Sequence, residues 1–389
     1  MLYRRPMTAR RADEAHRTTT RLELFFDLCF VVAVAQAASH LHHDLSDGRF
    51  GHAIGNYLWV FFAIWWAWMN FTWFASAYDT DDDPYRMLTL VQIAGALTLA
   101  AGVPRAFDDG DYLVITLGYV IMRLAMVTQW LRAANGDPER RTTALRYATG
   151  YAVVQAGWVA RLALDQPAYL YAGLAVAVAE LLVPIWAERA EVTTWHPQHI
   201  TERYGLFTLI VLGEAVLAAT IAVQTAADAR HGVDVDLLVL AGSALLLVFS
   251  LWWLYFDQTA QRVLRPLRTT IIWGYGHYVI FAATAAVGAG LSLAVDALDG
   301  HAQVTHLQQS LAVAVPLAVW ITTVWWLRTR PLLRGPVVTA APVATVLVLT
   351  AAWTPVAVPL MALITAVLAV LTTGNTRRTG RSFDAAFSA

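Results

Sequence analysis

The chain has 389 residues, of which 58% are hydrophobic and 14% charged; its 27 basic residues are all arginine, and the formal net charge is −1. Soluble domains carry about 25% charged residues, so this composition excludes a soluble globular protein. No basic stripe with interleaved aromatics offers a nucleic-acid surface. The single cysteine, Cys29, excludes an intramolecular disulfide and reads as a core-filling residue.

Apolar runs of about membrane length follow one another from end to end: 24–41, 56–78, 87–103, 112–131, 145–164, 169–186, 204–226, 235–256, 271–295, 307–327, 336–353 and 355–371. A helix needs roughly 17–25 such residues to cross hydrocarbon, which predicts an all-α protein of about twelve transmembrane helices. The first run follows an Arg-rich segment and contains Ala35-Gln36-Ala37, as a signal peptide does. Glu23 and Asp27 interrupt its start, so it reads as a retained helix. With all twelve runs crossing, one face collects the six arginines before Leu22, then Arg86, Arg132, Arg140, Arg141, Arg146, Arg189 and Arg203. It goes on to take Arg262, Arg265, Arg268, Arg328, Arg330, Arg334, Arg377, Arg378 and Arg381. Arg49, Arg105 and Arg230 fall on the other face, while Arg123 and Arg161 lie inside spans. Positive residues stay cytoplasmic, so both termini are predicted inside, with residues 1–21 a cytoplasmic segment and 373–389 a disordered cytoplasmic tail.

A weak internal repeat relates helix n to helix n+6. Arg21-Leu22-Glu23-Leu24-Phe25 matches Arg203-Tyr204-Gly205-Leu206-Phe207. Tyr78-Asp79 matches Tyr255-Phe256-Asp257, and Trp130-Leu131-Arg132 matches Trp326-Leu327-Arg328. An even offset predicts two six-helix repeats, 22–190 and 191–372, in the same orientation and related by an axis along the membrane normal.

Ionisable groups inside spans mark functional candidates, because each costs roughly 2.5–3.5 kcal/mol on insertion scales unless paired or watered. Glu23 and Asp27 are four apart and share a helix face, either as carboxylates suited to the helix amino terminus or as part of a buried path. Glu214 follows Arg203 by eleven residues, near three turns, which puts both on one face and Glu214 about 16 Å along. Gly205 and Gly213 would admit a close neighbour, and Arg123, midway through its span, is the natural counter-ion for Glu214. The alternative for that pair is a structural clamp. Arg161, Glu180 and His277 also lie within spans; Arg161 is placed to snorkel outward, and His277 reads as a hydrogen-bonded core residue.

The turn Asp79-Thr80-Asp81-Asp82-Asp83-Pro84 sets four carboxylates in five residues on the arginine-rich face. Such oxygens suit Mg²⁺ bridged to a phosphate, with Asp79 and Asp83 as the metal candidates. The tryptophan-rich stretch before it could stabilise a carbocation. The competing reading is a helix-capping turn beside lipid-facing and interfacial rings. His40, His42, His43, Asp44, Asp47 and His52 form a second cluster with transition-metal spacing. His196 and His199 form a smaller one, and both read as ordinary loop histidines.

Residues 21–35 (RLELFFDLCFVVAVA), 78–86 (YDTDDDPYR) and 199–218 (HITERYGLFTLIVLGEAVLA) resemble the bacterial low-temperature requirement A (LtrA) family. The resemblance runs from Arg21 to about Arg328 and implies a multi-pass protein of the bacterial inner membrane. A more distant similarity links Arg21-Leu22-Glu23-Leu24-Phe25-Phe26-Asp27 to the Arg-x-x-x-Phe-Ser-Asp motif of a lysosomal and bacterial potassium-channel family. Phe26 replaces the serine, and the second copy, Arg203-x-x-x-Phe207-Thr208-Leu209, lacks the acid, which puts potassium selectivity in doubt. The similarity implies that helices one and seven line a central path.

These readings predict a membrane protein that moves a small solute or ion past Arg21, Glu23, Asp27, Arg123, Arg203, Glu214 and Asp257. The rival reading is an intramembrane Mg²⁺-dependent enzyme acting on a prenyl diphosphate through Asp79, Asp81, Asp82 and Asp83. A third is a sensor or accessory subunit. The expected partners are the bilayer, the solute, ion or isoprenoid, and a second copy in a homo-oligomer.

Overall fold

A computed structural model describes residues 3–11, 14, 17–230, 232, 234–257, 267–332 and 337–387. Arg262, Arg265 and Arg334 of the charge alternation, and the side chains of Arg377, Arg378 and Arg381, lie outside what is described. The chain folds into α1 (Arg21–Ser46), α2 (Phe50–Tyr78), α3 (Asp83–Asp108), α4 (Leu113–Gly136), α5 (Arg141–Arg161) and α6 (Ala168–Ala187). It continues through α7 (Pro197–Ala229), α8 (Val235–Phe256), α9 (Leu267–Leu298) and α10 (His306–Val324). A π-helical turn, Trp325–Thr329, and the helical residues Arg330–Leu332 extend α10, and α11 (Val337–Ala351) and α12 (Ala357–Phe387) complete the chain. Among the described residues nine helices are long and apolar enough to cross a membrane, and Val337–Ala351 and Ala357–Thr373 are shorter apolar helices. This is a multi-pass helical membrane protein. Of the twelve predicted spans α5 stands apart, because Arg141, Arg146 and Arg161 dilute its apolar residues.

Helix starts follow local chemistry. Thr20 and Glu23 form a reciprocal box at α1: the Thr20 N–H donates to Glu23 Oε2 at 2.7 Å, and the Glu23 N–H donates to Thr20 Oγ1 at 3.3 Å. Asp82 caps α3 by accepting the Tyr85 N–H at 2.9 Å, with Pro84 in the first turn. At the other end of the chain α12 keeps helical backbone to Phe387, where the sequence predicts a disordered tail. Extending an existing helix avoids the cost of nucleating one.

The molecule divides into two compact units, the first made of Met1–Gln36 and Trp59–Arg203, the second of Ala37–Leu58 and Tyr204–Ala389. Within the first, α3, α4, α5 and α6 pack serially on one another; within the second, α9, α10, α11 and α12 do the same. The leading pair of each series closes through small residues. A Cβ at Gly118 would fall 2.6 Å from the Gly95 carbonyl oxygen, and one at Gly290 would fall 2.4 Å from that of Ala312. The packing is therefore repeat-like; Tyr78 and Tyr255 are both buried, but the other two short sequence matches do not keep their environments. Arg21 and Phe25 are exposed where Arg203 and Phe207 are buried. Trp130 is buried and Leu131 exposed, whereas Trp326 is exposed and Leu327 buried. The π-helical turn adds a residue to the turn at Trp325–Thr329, which rotates the helix face by about 100°.

Candidate functional site

The first unit holds a fully buried charge cluster at the starting turns of α1 and α7. Arg203 donates from Nε to Asp27 Oδ2 at 2.9 Å and from Nη2 to Asp27 Oδ1 at 2.5 Å, a bidentate pair. The Trp68 indole N–H of α2 donates to the same Asp27 Oδ1 at 2.6 Å. One α1 turn earlier, Glu23 Oε1 lies 3.1 Å from Arg203 Nη1 and 3.1 Å from His199 Nε2. Glu23, Asp27, His199 and Arg203 are all inaccessible to solvent. Their four-residue spacings, Glu23 to Asp27 and His199 to Arg203, put each pair on one face of its helix. The burial leaves polar valence unused: Glu23 Oε1, Arg203 Nη1, His199 Nδ1 and the Tyr85 hydroxyl have no aligned hydrogen-bond partner among the described residues.

The amino-terminal segment closes one end of the cluster. The Tyr3 N–H donates to Asp83 and the Arg5 N–H to Asp82, while the Arg10 N–H donates to the Ala77 carbonyl. Met7 packs so tightly on Gly136 that a Cβ there would lie 2.3 Å from the Met7 carbonyl oxygen. The Arg17 guanidinium is buried and donates to the Ala75 carbonyl at 2.8 Å, and the His196 ring contacts the Glu14 carbonyl at 3.0 Å. Asp79 lies beneath this segment, 3.8 Å from Arg10. Burial, reinforced by the nearby Glu23 charge, pushes its carboxyl up to about 6.

The acidic turn is held by protein partners, with Asp82 as the cap of α3. Asp82 takes two contacts from Arg132 Nη2, at 3.0 and 2.7 Å, besides the Arg5 and Tyr85 N–H groups. Burial works to raise its pKa, but these donors outweigh it and hold Asp82 below the usual carboxylate range. Asp81 forks with Arg86, Asp83 accepts the Tyr3 N–H, and Asp79 accepts the Asp81 N–H. Each carboxylate thus has its own protein partner, and no group of three or more His, Cys, Asp or Glu is placed to hold a metal among the described residues. The prediction of Mg²⁺ at Asp79 and Asp83 is therefore unsupported, and with it the prenyl-diphosphate chemistry. The histidine cluster divides likewise: His42 meets Asp296 at 2.7 Å and His52 meets Asp44 at 2.9 Å.

Other predicted positions fall elsewhere. Arg123 does not serve Glu214; its Nη2 donates to Glu180 at 2.7 Å, both groups are buried, and the Tyr151 ring faces the guanidinium at 4.3 Å. The indoles of Trp66 and Trp158 lie near that carboxylate. Glu214 is half-buried on α7, and a Cβ at the adjacent Gly213 would meet nothing within 4 Å among the described residues. Gly205 does pack closely, since a Cβ there would lie 3.3 Å from the Phe256 ring. Arg21 is exposed, Asp257 caps the end of α8, and Cys29 is only partly buried rather than in the core. His277 is the expected core histidine, held by the Trp273 carbonyl at 2.7 Å and the Tyr255 hydroxyl at 3.1 Å. His196 and His199 are buried rather than ordinary loop residues. Their signal was the spacing of His199 four residues before Arg203, one helical turn.

Residues 18–373 match the family described as bacterial low temperature requirement A protein. The chain belongs to the LtrA family. It is similar to a protein of Rhizobium meliloti (strain 1021) called "Uncharacterized protein RA0937", 29% identical over 297 residues, which cover 70% of this chain and 69% of that one. The LtrA match takes in both the α1 and α7 members of the charge cluster. The potassium-channel likeness gains no such support: Arg21, which opens its motif, is exposed, and the arginine that meets Asp27 is Arg203.

Proposed function

We propose that this LtrA-family protein moves a small solute or ion across the bacterial inner membrane, along a route that starts at the first turns of α1 and α7. The observation that carries this reading is the cluster of Glu23, Asp27, His199 and Arg203. Two carboxylates, one guanidinium and one imidazole are withdrawn from water with several valences unfilled. A structural site gains little from such charges, because apolar residues of similar volume often hold it as well or better, and intramembrane ionisable groups mark substrate and proton routes. In this reading Asp27 and Glu23 bind the passing cation or proton, Arg203 is the counter-charge, and Glu214 and Asp257 are further members of the route. The serial packing of α3–α6 and of α9–α12 supports parallel repeats as the frame of this route, and the arginine distribution supports twelve crossings with cytoplasmic termini.

The test is proton and alkali-cation flux in proteoliposomes. Asp27→Asn and Glu214→Gln are each expected to abolish a flux that the parent protein supports, with the helix content unchanged. Flux at the parental rate in both variants would sink the assignment.

A further inference from the structure

Away from the charge cluster, the first unit contains a buried cation of a different kind. Arg161 ends α5 and is 5% exposed, yet among the described residues no carboxylate pairs with it. Its Nε donates to the Tyr169 carbonyl at 2.9 Å. Four rings present their faces to it, with centroids at 3.7 Å for Tyr169, 5.3 Å for Trp59, 5.5 Å for Trp158 and 5.6 Å for Tyr112. Gly173 of α6 makes the niche, since a Cβ there would lie 2.8 Å from Arg161 Nε. The guanidinium borders a cavity of about 40 Å³ whose wall also includes Ala63 and Thr116. A water needs roughly 10–15 Å³ on this measure, so the space suits a few waters or a small ion.

We propose that this cavity binds a small monoanion, from halide to acetate in size, on the Nη groups of Arg161. Ring faces stabilise a cation from above and below, but they do not accept the in-plane N–H groups, and those of the Nη nitrogens have no protein acceptor among the described residues. An anion supplies the missing acceptor and the missing charge together. One guanidinium, with no second cation lining the cavity among the described residues, favours a single negative charge over two. The volume excludes a large organic acid. The site is independent of the proposed transport route.

Chloride-35 NMR line broadening by the full-length protein in lipid nanodiscs tests this directly. The wild type is expected to give a saturable component that nitrate and acetate displace and that gluconate does not, at constant ionic strength. Arg161→Gln should lose that component. Ala63→Leu, which fills the cavity and keeps the guanidinium, should lose it as well, so the result does not depend on the folding of the arginine variant. No saturable component in the wild type, or an undiminished one in Ala63→Leu, would overturn the proposal.

Discussion

Arg203 sits between two carboxylates, and removing any one member leaves a buried charge without its complement. Asp27→Asn and Arg203→Gln are each expected to cost about 3–5 kcal/mol, read as unfolding free energy in detergent. The double variant Asp27→Leu/Arg203→Met should recover most of that loss, because well-packed apolar pairs replace buried ion pairs at little or no cost. Recovered stability with no recovered flux separates a working site from a clamp. Asp79 gives a pH test. Its native carboxyl titrates at about 6 against an ordinary 3.8, so the fold favours the protonated form. That contribution is fully present below about pH 4 and is lost as pH rises through about 6. Asp79→Asn stays neutral, so it should match the wild type near pH 4 and exceed its thermal midpoint near pH 8. At this scale the sequence exposed Asp27 as a costly residue in an apolar run, and Glu23 and Arg203 by their helical spacing from Asp27 and Glu214. It did not expose Trp68, or the pairing of Glu180 with Arg123, because these depend on contacts across helices: Arg123 and Glu180 are 57 positions apart.

Helix against helix, the decisive residues are glycines at close crossings. A Cβ at Gly118 would fall 2.5 Å from the Leu99 nitrogen, whereas one at Gly213 meets nothing within 4 Å. Gly118→Ala is therefore expected to cost about 1–3 kcal/mol through overpacking. Gly213→Ala should be neutral or stabilising by roughly 0.5–1 kcal/mol, since alanine is the better helix former. Unfolding midpoints of both variants in the same detergent check the pair. Helix positions were legible because apolar run length and capping residues are local. Helix faces at α10 were not, because a single π-helical turn shifts every later side chain while leaving the hydropathy pattern unchanged.

Over the whole molecule the arginine distribution predicts how the chain threads the bilayer. Reporter fusions after Asp47, Asp109, Asp228 and Asp299 should report the outside; fusions after Asp83, Gly136, Gln261 and Arg334 should report the cytoplasm. Two or more inversions would overturn the twelve-crossing arrangement. Gln261 and Arg334 lie outside the described residues, so those two fusions test the charge pattern alone. α5 is the helix most in question, being the least apolar of the predicted spans, and the Asp109 and Gly136 fusions fix the orientation of α4, one of the two helices on which it packs serially.

Class, membrane residence and family were determined by the sequence itself, because hydropathy, run length and three short signatures are properties of neighbouring residues. The tertiary structure alone decided which charges meet. It gave Asp27 to Arg203, Glu180 to Arg123 and Asp82 to Arg132, and it left Arg161 among rings. A buried charge is satisfied by whatever lies a few ångströms away, and in a helical membrane protein those partners come from helices tens to hundreds of residues distant along the chain.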